Sequence, residues 1–224
     1  LNYTRLNKTM YEKEIIININ EKLHITFKGV IDKLMYDEYN GETIVVIIDY
    51  KTGTPYLNLD NTIYGLELQL PVYIYLTKNM NEITNVRIGG FYLQKLLTNK
   101  LDNDDKIREL KLQGYSNSDI NILSLVDSSY ENSSIIKSMK VTSTGNFNQF
   151  AKVISDEEID ELSILAETKI KEATNDIINA SFDINPKQIK NDLVGCKFCE
   201  FKNICYMKNK DIIKLKEEGG EDNE

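Results

Sequence analysis

The stretch TIVVIIDYKTG, Thr43 to Gly53, limits the fold more than any other part of the chain. Five consecutive β-branched residues, Ile44 to Ile48, run directly into Asp49, Tyr50 and Lys51. An unbroken apolar run of this length reads as a strand buried on both faces. Side chains two apart on a strand share a face, so Asp49 and Lys51 point the same way and Tyr50 points the other. Both charges then lie at the C-terminal end of a buried strand, where the crevices of α/β sheets hold their ligands. An isolated carboxylate in such a place is costly unless a cation or a partner compensates it.

The compensating group is sought in the preceding strand. EKEIIININ and KLHITFKGVID read as two strands joined by a tight turn at 20–22, with Asp32 ending the second. If this strand and the 43–51 strand are neighbours, Asp32 and Asp49 meet at one end of the sheet. Two hard carboxylates with open positions suit Mg2+ or Mn2+, which keep water and accept phosphate oxygens. A lysine beside such an ion can hold an attacking water and balance charge in the transition state. A lone D-x-K on a strand is ordinarily a surface pair. The order of the parts carries the argument: G-x-x-D, then a strand ending in DYKTG, then a helical pattern containing QLPVY. Gln69 and Tyr73 are four apart and share a face of that helix.

The rest of the chain supplies the frame. LDNTIYGLELQLPVYIYLTKN has near-helical apolar spacing, with Asp60 or Asn61 as cap, and Pro71 is expected to kink it or mark a restart. NVRIGGFYLQKLL reads as a fourth strand. Residues 98–150 are polar, with short helices expected around 104–112 and 118–126. SDEEIDELSILAETKIKEATNDII is the clearest helix: Ser155 and Glu158 form a capping box, and Ile159, Leu162, Ala166, Ile170, Ala173 and Ile177 fall on one face. FDINPKQI is extended. Strands, a helix, a strand, then helices give an α/β or α+β core with a helical, loop-rich C-terminal part.

Three cysteines crowd together as C-x2-C-x5-C at Cys196, Cys199 and Cys205. An odd number this close argues against a disulfide framework and for a soft metal or an iron–sulfur cluster. Zinc would need a fourth ligand, and no histidine follows. The chain carries 27 basic and 35 acidic residues, a net charge of −8, which does not advertise a nucleic-acid binder. A local basic groove remains compatible with it. Part of the acid excess sits in EEGGEDNE, Glu217 to Glu224, read as a solvated tail. No signal peptide and no apolar run of membrane-spanning length is present, so a cytoplasmic protein without membrane contact is expected. The chain opens on Leu1, which reads as a fragment of something longer.

GVID, IIDYKTG and GLELQLPVYIYL together resemble the core motifs of RecB-type nucleases of the PD-(D/E)xK superfamily, most nearly the C-terminal nuclease domain of AddB-like helicase–nuclease subunits. The likeness continues through ELKLQGYS and INPK to the cysteines, from about residue 25 to 206. It implies a restriction-endonuclease-like core, a mixed central sheet flanked by helices, with a helical, cysteine-containing C-terminal extension. On that reading residues 1–206 form one nuclease domain, with core at about 10–97, helical part at about 98–195 and cysteine cluster at 196–206, followed by an acidic tail at 207–224.

The same resemblance implies that Asp32, Asp49 and the main-chain carbonyl of Tyr50 ligate the catalytic metal. Lys51 would assist the nucleophilic water, and Gln69 and Tyr73 would form the family's Q-x-x-x-Y motif, which shapes the site and contacts DNA. Cys196, Cys199 and Cys205 would hold a 4Fe–4S cluster with a fourth, upstream cysteine. The family also uses an upstream histidine as metal ligand. The only histidine here, His24, lies within the strand pattern and is given a structural role, so both missing ligands are expected before Leu1.

The function expected is Mg2+-dependent DNA hydrolysis, as an exonuclease within a helicase–nuclease that repairs double-strand breaks by recombination, with DNA and a second subunit as partners. The motor would reside elsewhere, since no G-x-x-x-x-G-K-[ST] loop occurs. The alternatives are a catalytically silent scaffold of the same fold that binds DNA or a partner, and a stand-alone CRISPR-associated iron–sulfur exonuclease.

Overall fold

A computed structural model describes residues 4–22, 24–96, 103–197 and 199–215. They fall into two compact units, Leu1–Lys171 and Glu172–Glu224. The first is built on a six-stranded mixed sheet in sequential order: β1 (Lys8–Asn20), β2 (Ile25–Tyr39), β3 (Glu42–Lys51), β4 (Val86–Lys95), β5 (Gln113–Asn117) and β6 (Val153–Ile154). β1, β2 and β3 run antiparallel in turn. β4 lies parallel to β3 after the crossover helix α1 (Gln69–Lys78), which makes the sheet mixed and the class α/β.

β3 is central and covered on both faces, as its apolar run demands. Val45 and Ile47 pack with Leu70 and Ile74 of α1 on one face. Ile44, Val46 and Ile48 pack with Ile122, Leu123 and Val126 of α3 (Ile120–Val126) on the other. Each such side chain stabilises by about 1.5–3 kcal/mol on burial. α2 (Asn103–Glu109) and α3 coincide with the two short helices expected between 98 and 150. β5 and β6 come from stretches with no strand expectation. The QGYSN of β5 is short and glycine-containing, and its pairing with β4 rather than its own pattern makes it a strand.

α4 (Asp156–Ile178) carries the expected capping box: Ser155 N–H donates to Glu158 Oε2 (2.8 Å) and Glu158 N–H donates to Ser155 Oγ (3.2 Å). Ile159, Ala166 and Ile170 of its apolar stripe are buried, while Ala173 and Ile177 are exposed. The Pro71 restart is realised. A 3-10 turn at Thr62–Tyr64 ends on Gly65 in the left-handed region, and α1 begins anew at Gln69 with Pro71 in its first turn, where no N–H is missed.

Two local expectations differ from the structure. β2 does not end at Asp32 but continues to Tyr39, because its pairing with β3 supports it past the charged residues 32 and 33. His24 is in the turn before β2, exposed and with φ of +53°, not within the strand.

The second unit contains a small sheet in the order β8 (Asp192–Leu193), β7 (Lys187–Ile189), β9 (Ile213–Lys214). Order therefore continues at least seven residues into the stretch expected as tail, from 207; positions 216–224, including the acidic run, lie outside the described residues. Among the described residues no helix is long and apolar enough to cross a membrane.

Candidate active site

The C-terminal end of β3 and the first turn of α1 build one polar cluster. Lys33 stands opposite Ile48 in the antiparallel register, which brings Asp32 level with Asp49 on the same face. The Asp32 carboxylate closes over the strand end. Its Oδ2 accepts a 2.8 Å hydrogen bond from the Tyr50 N–H, taking the place of a ladder partner where the pairing stops. Tyr50 turns its ring to the opposite face, among the side chains around Tyr92 and Ile48.

Asp49 is 2% exposed. Its Oδ1 accepts a 2.8 Å bond from Gln69 Nε2, and the same amide nitrogen donates to Tyr73 Oη at 3.0 Å. The four-residue spacing stacks these two side chains one turn apart on α1, as expected. Lys51 Nζ donates to the Gln69 amide oxygen and stands 2.6 Å from Asp49 Oδ2. That second contact lacks hydrogen-bond geometry, so Asp49 Oδ2 is a buried carboxylate oxygen that accepts no hydrogen bond. Burial pushes the Asp49 carboxyl above the usual carboxylate range; Lys51 pulls it down, and nearby Asp32 adds to the rise. Burial likewise raises the Tyr73 phenol, which therefore stays protonated.

The cluster fits a hard divalent cation. Two carboxylates converge at one strand end, one of them buried with its Oδ2 beside the Lys51 ammonium, and a buried carboxylate is costly without positive charge next to it. Asp32, Asp49, Lys51, Gln69 and Tyr73 are thus brought together from β2, β3 and α1, separated by up to 41 positions in sequence. The cysteines are not brought together as a ligand set. Cys199 is exposed, Cys196 and Cys205 are half-buried, and among the described residues no three Cys, His, Asp or Glu side chains form a group able to hold a metal ion.

Sequence reasoning missed the part played by Gly29. A Cβ there would collide with Leu76 Cδ1 of α1, so the glycine lets the helix that carries Gln69 and Tyr73 lie close to β2. The signal was present as a glycine in a strand pattern, which marks close approach of a neighbour.

The sequence profile of the PD-(D/E)XK nuclease superfamily matches residues 3–206. Similar curated proteins share one description, the B-type subunit of an ATP-dependent helicase/deoxyribonuclease. That of Thermoanaerobacter sp. (strain X514) is 28% identical over 204 residues, covering 86% of this chain and 18% of its own. That of Carboxydothermus hydrogenoformans is 26% identical over 212 residues, covering 89% and 19%. That of Listeria welshimeri is 29% identical over 204 residues, covering 84% and 18%. The chain therefore spans less than a fifth of the length of these relatives.

Proposed function

The chain belongs to the PD-(D/E)XK nuclease superfamily, and we propose that it is the Mg2+- or Mn2+-dependent nuclease domain of a helicase–nuclease subunit, hydrolysing DNA phosphodiester bonds during double-strand break repair. The observation that carries this reading is the convergence of the buried Asp49 carboxylate with Asp32 and Lys51 at one strand end. DNA as substrate and a second subunit as partner follow from the names of the relatives, whose length this chain covers only in small part.

Asp32 and Asp49, with the main-chain carbonyl of Tyr50, would hold the cation. Bound there, it supplies positive charge to a phosphoryl oxygen and acidifies a water. The protein's own groups do the rest. Lys51, one-third exposed, reaches from the strand end toward solvent and holds the attacking water while balancing charge that develops on the phosphate. Gln69 fixes the rotamer of Asp49 through Oδ1 and leaves Oδ2 turned toward Lys51, where a cation would share it. Tyr73 anchors Gln69 from below.

Cys196, Cys199 and Cys205 are proposed as ligands of a 4Fe–4S cluster on their spacing and on the family likeness alone, and no step of hydrolysis is routed through it. Iron and sulfide analysis of anaerobically purified full-length protein tests this; absence of both defeats it.

Replacing Asp49 or Lys51 by Ala tests the hydrolytic reading. Mg2+-dependent cleavage of linear DNA falls at least about a hundredfold in either variant. Cleavage at the unsubstituted rate by either overturns it.

A further inference from the structure

A second polar feature lies on the same face and the same end of the sheet as Asp49. Leu93 of β4 is the parallel register partner of Asp49, and Gln113 of β5 is the antiparallel partner of Leu93. Leu93, Gln113 and Gly114 floor a cleft of about 250 Å³. Its walls are Tyr56 and Leu57, from the loop that leaves Lys51, and Lys137, Phe150 and Lys152. Two strand spacings, ~10 Å, separate Asp49 from Gln113.

The chemistry of the walls is unlike an ordinary surface. Tyr56 and Phe150 are each 68% exposed, although large rings normally bury most of their area. Lys152 Nζ donates to Leu57 O at 3.1 Å and lies 5.1 Å from the centre of the Tyr115 ring. Tyr115 is itself stacked on Phe91 in the sheet. Lys137 Nζ donates to Gln113 Oε1 at 3.0 Å, across the floor. Among the described residues neither lysine is in a salt bridge, in a chain of net charge −8. Two cations outside any ion pair and two open aromatic rings in one cleft match a phosphate chain whose bases are unpaired. Rings can stack only on bases not already stacked in a duplex, and the lysines meet the phosphates.

We infer that this cleft is a subsite for unpaired nucleotides flanking the bond to be cut, with Tyr56 and Phe150 stacking bases and Lys137 and Lys152 holding phosphates. The inference rests on the hydrolytic reading in taking the acids as the place of cleavage. It adds that the strand runs from them across β4 to β5. The cleft assembles from five separate segments of the chain, so no motif announces it.

The test is binding of a fluorescent single-stranded oligonucleotide in EDTA, with the whole chain, beside a duplex of the same sequence. Tyr56→Ala and Phe150→Ala each weaken single-strand binding about tenfold, and both together more, with the duplex little affected. Lys137→Gln and Lys152→Gln each reduce the salt slope of single-strand binding by about 0.7. All four side chains are exposed, and thermal melting verifies that the variants fold. Unchanged single-strand affinity in the Tyr56, Phe150 double variant overturns the inference. So does an equal loss on duplex, or no oligonucleotide binding by the unsubstituted chain. The hydrolytic reading is decided apart, with Mg2+ and bis(4-nitrophenyl) phosphate, a diester too short to reach the cleft. Turnover lost in Asp49→Asn supports that reading whatever the cleft does, and no turnover by the unsubstituted chain counts against it alone.

Discussion

Asp32 accepts a hydrogen bond from the backbone N–H of Tyr50, the residue between Asp49 and Lys51. One acid is thereby fastened to the strand end that presents the other acid and the lysine. The contact needs the full register of β2 on β3, so the position of the candidate site is a consequence of how the sheet pairs.

Gly29 tests the link between packing and site. Gly29→Ala forces a methyl against Leu76 and is expected to destabilise by about 1–3 kcal/mol in urea unfolding. Because the colliding atom is the tip of one side chain, Leu76→Val is expected to recover part of the loss in the Gly29→Ala background. Additive losses in the double-mutant cycle would show that Leu76 is not the obstacle.

Gln69 holds Asp49 and Tyr73 at once. Gln69→Ala is expected to lower metal-dependent cleavage about 10–100-fold with the melting temperature nearly kept, since Gln69 is exposed at the start of α1. Full activity in this variant would mean that the rotamer of Asp49 needs no support.

Asp49 is expected to cost the metal-free protein stability. Burial raises its folded-state pKa, so the folded state binds the proton more tightly than the unfolded chain. The sign follows: the contribution is favourable at acid pH and is lost as pH rises through the folded value. At neutral pH in EDTA, Asp49→Asn is therefore expected to raise the melting temperature. A clear fall in melting temperature would contradict the burial argument.

Arg87 joins β4 to the start of β3 and the N-termini of α3 and α4. Its guanidinium meets Asp156 (2.6 Å), Asp119 (2.8 Å) and Glu42 (3.3 Å). Burial alone would raise the Asp119 carboxyl; the Asn121 N–H and Arg87 together hold it below the usual carboxylate range. A depressed carboxylate stabilises above its unfolded pKa, near 4, and loses that contribution as pH falls through the folded value. Arg87→Met is expected to cost about 1–3 kcal/mol at pH 7 and to flatten the loss of stability below about pH 4. An equally steep acid limb in the variant would remove Asp119 from the account.

Much of this was legible in the chain because it is written in local pattern. The β-branched run fixed β3 as a strand covered on both faces, and the Gln69–Tyr73 spacing put both side chains on one turn of α1. The capping box marked the start of α4. What was not legible depends on partners. Charges at 32, 33, 37 and 38 hid the second half of β2, which exists because β3 pairs with it. β5 has five residues and a glycine, and only its pairing with β4 defines it. The cleft joins residues 56, 137, 150 and 152, and no spacing rule connects them.

Binding of Mn2+ followed by electron paramagnetic resonance tests the shared-cation claim most directly. The unsubstituted chain is expected to take up one ion, competed by Mg2+, and Asp32→Asn and Asp49→Asn are each expected to weaken it at least about tenfold. Retention of the same Mn2+ affinity in either variant would contradict a cation held jointly by the two carboxylates.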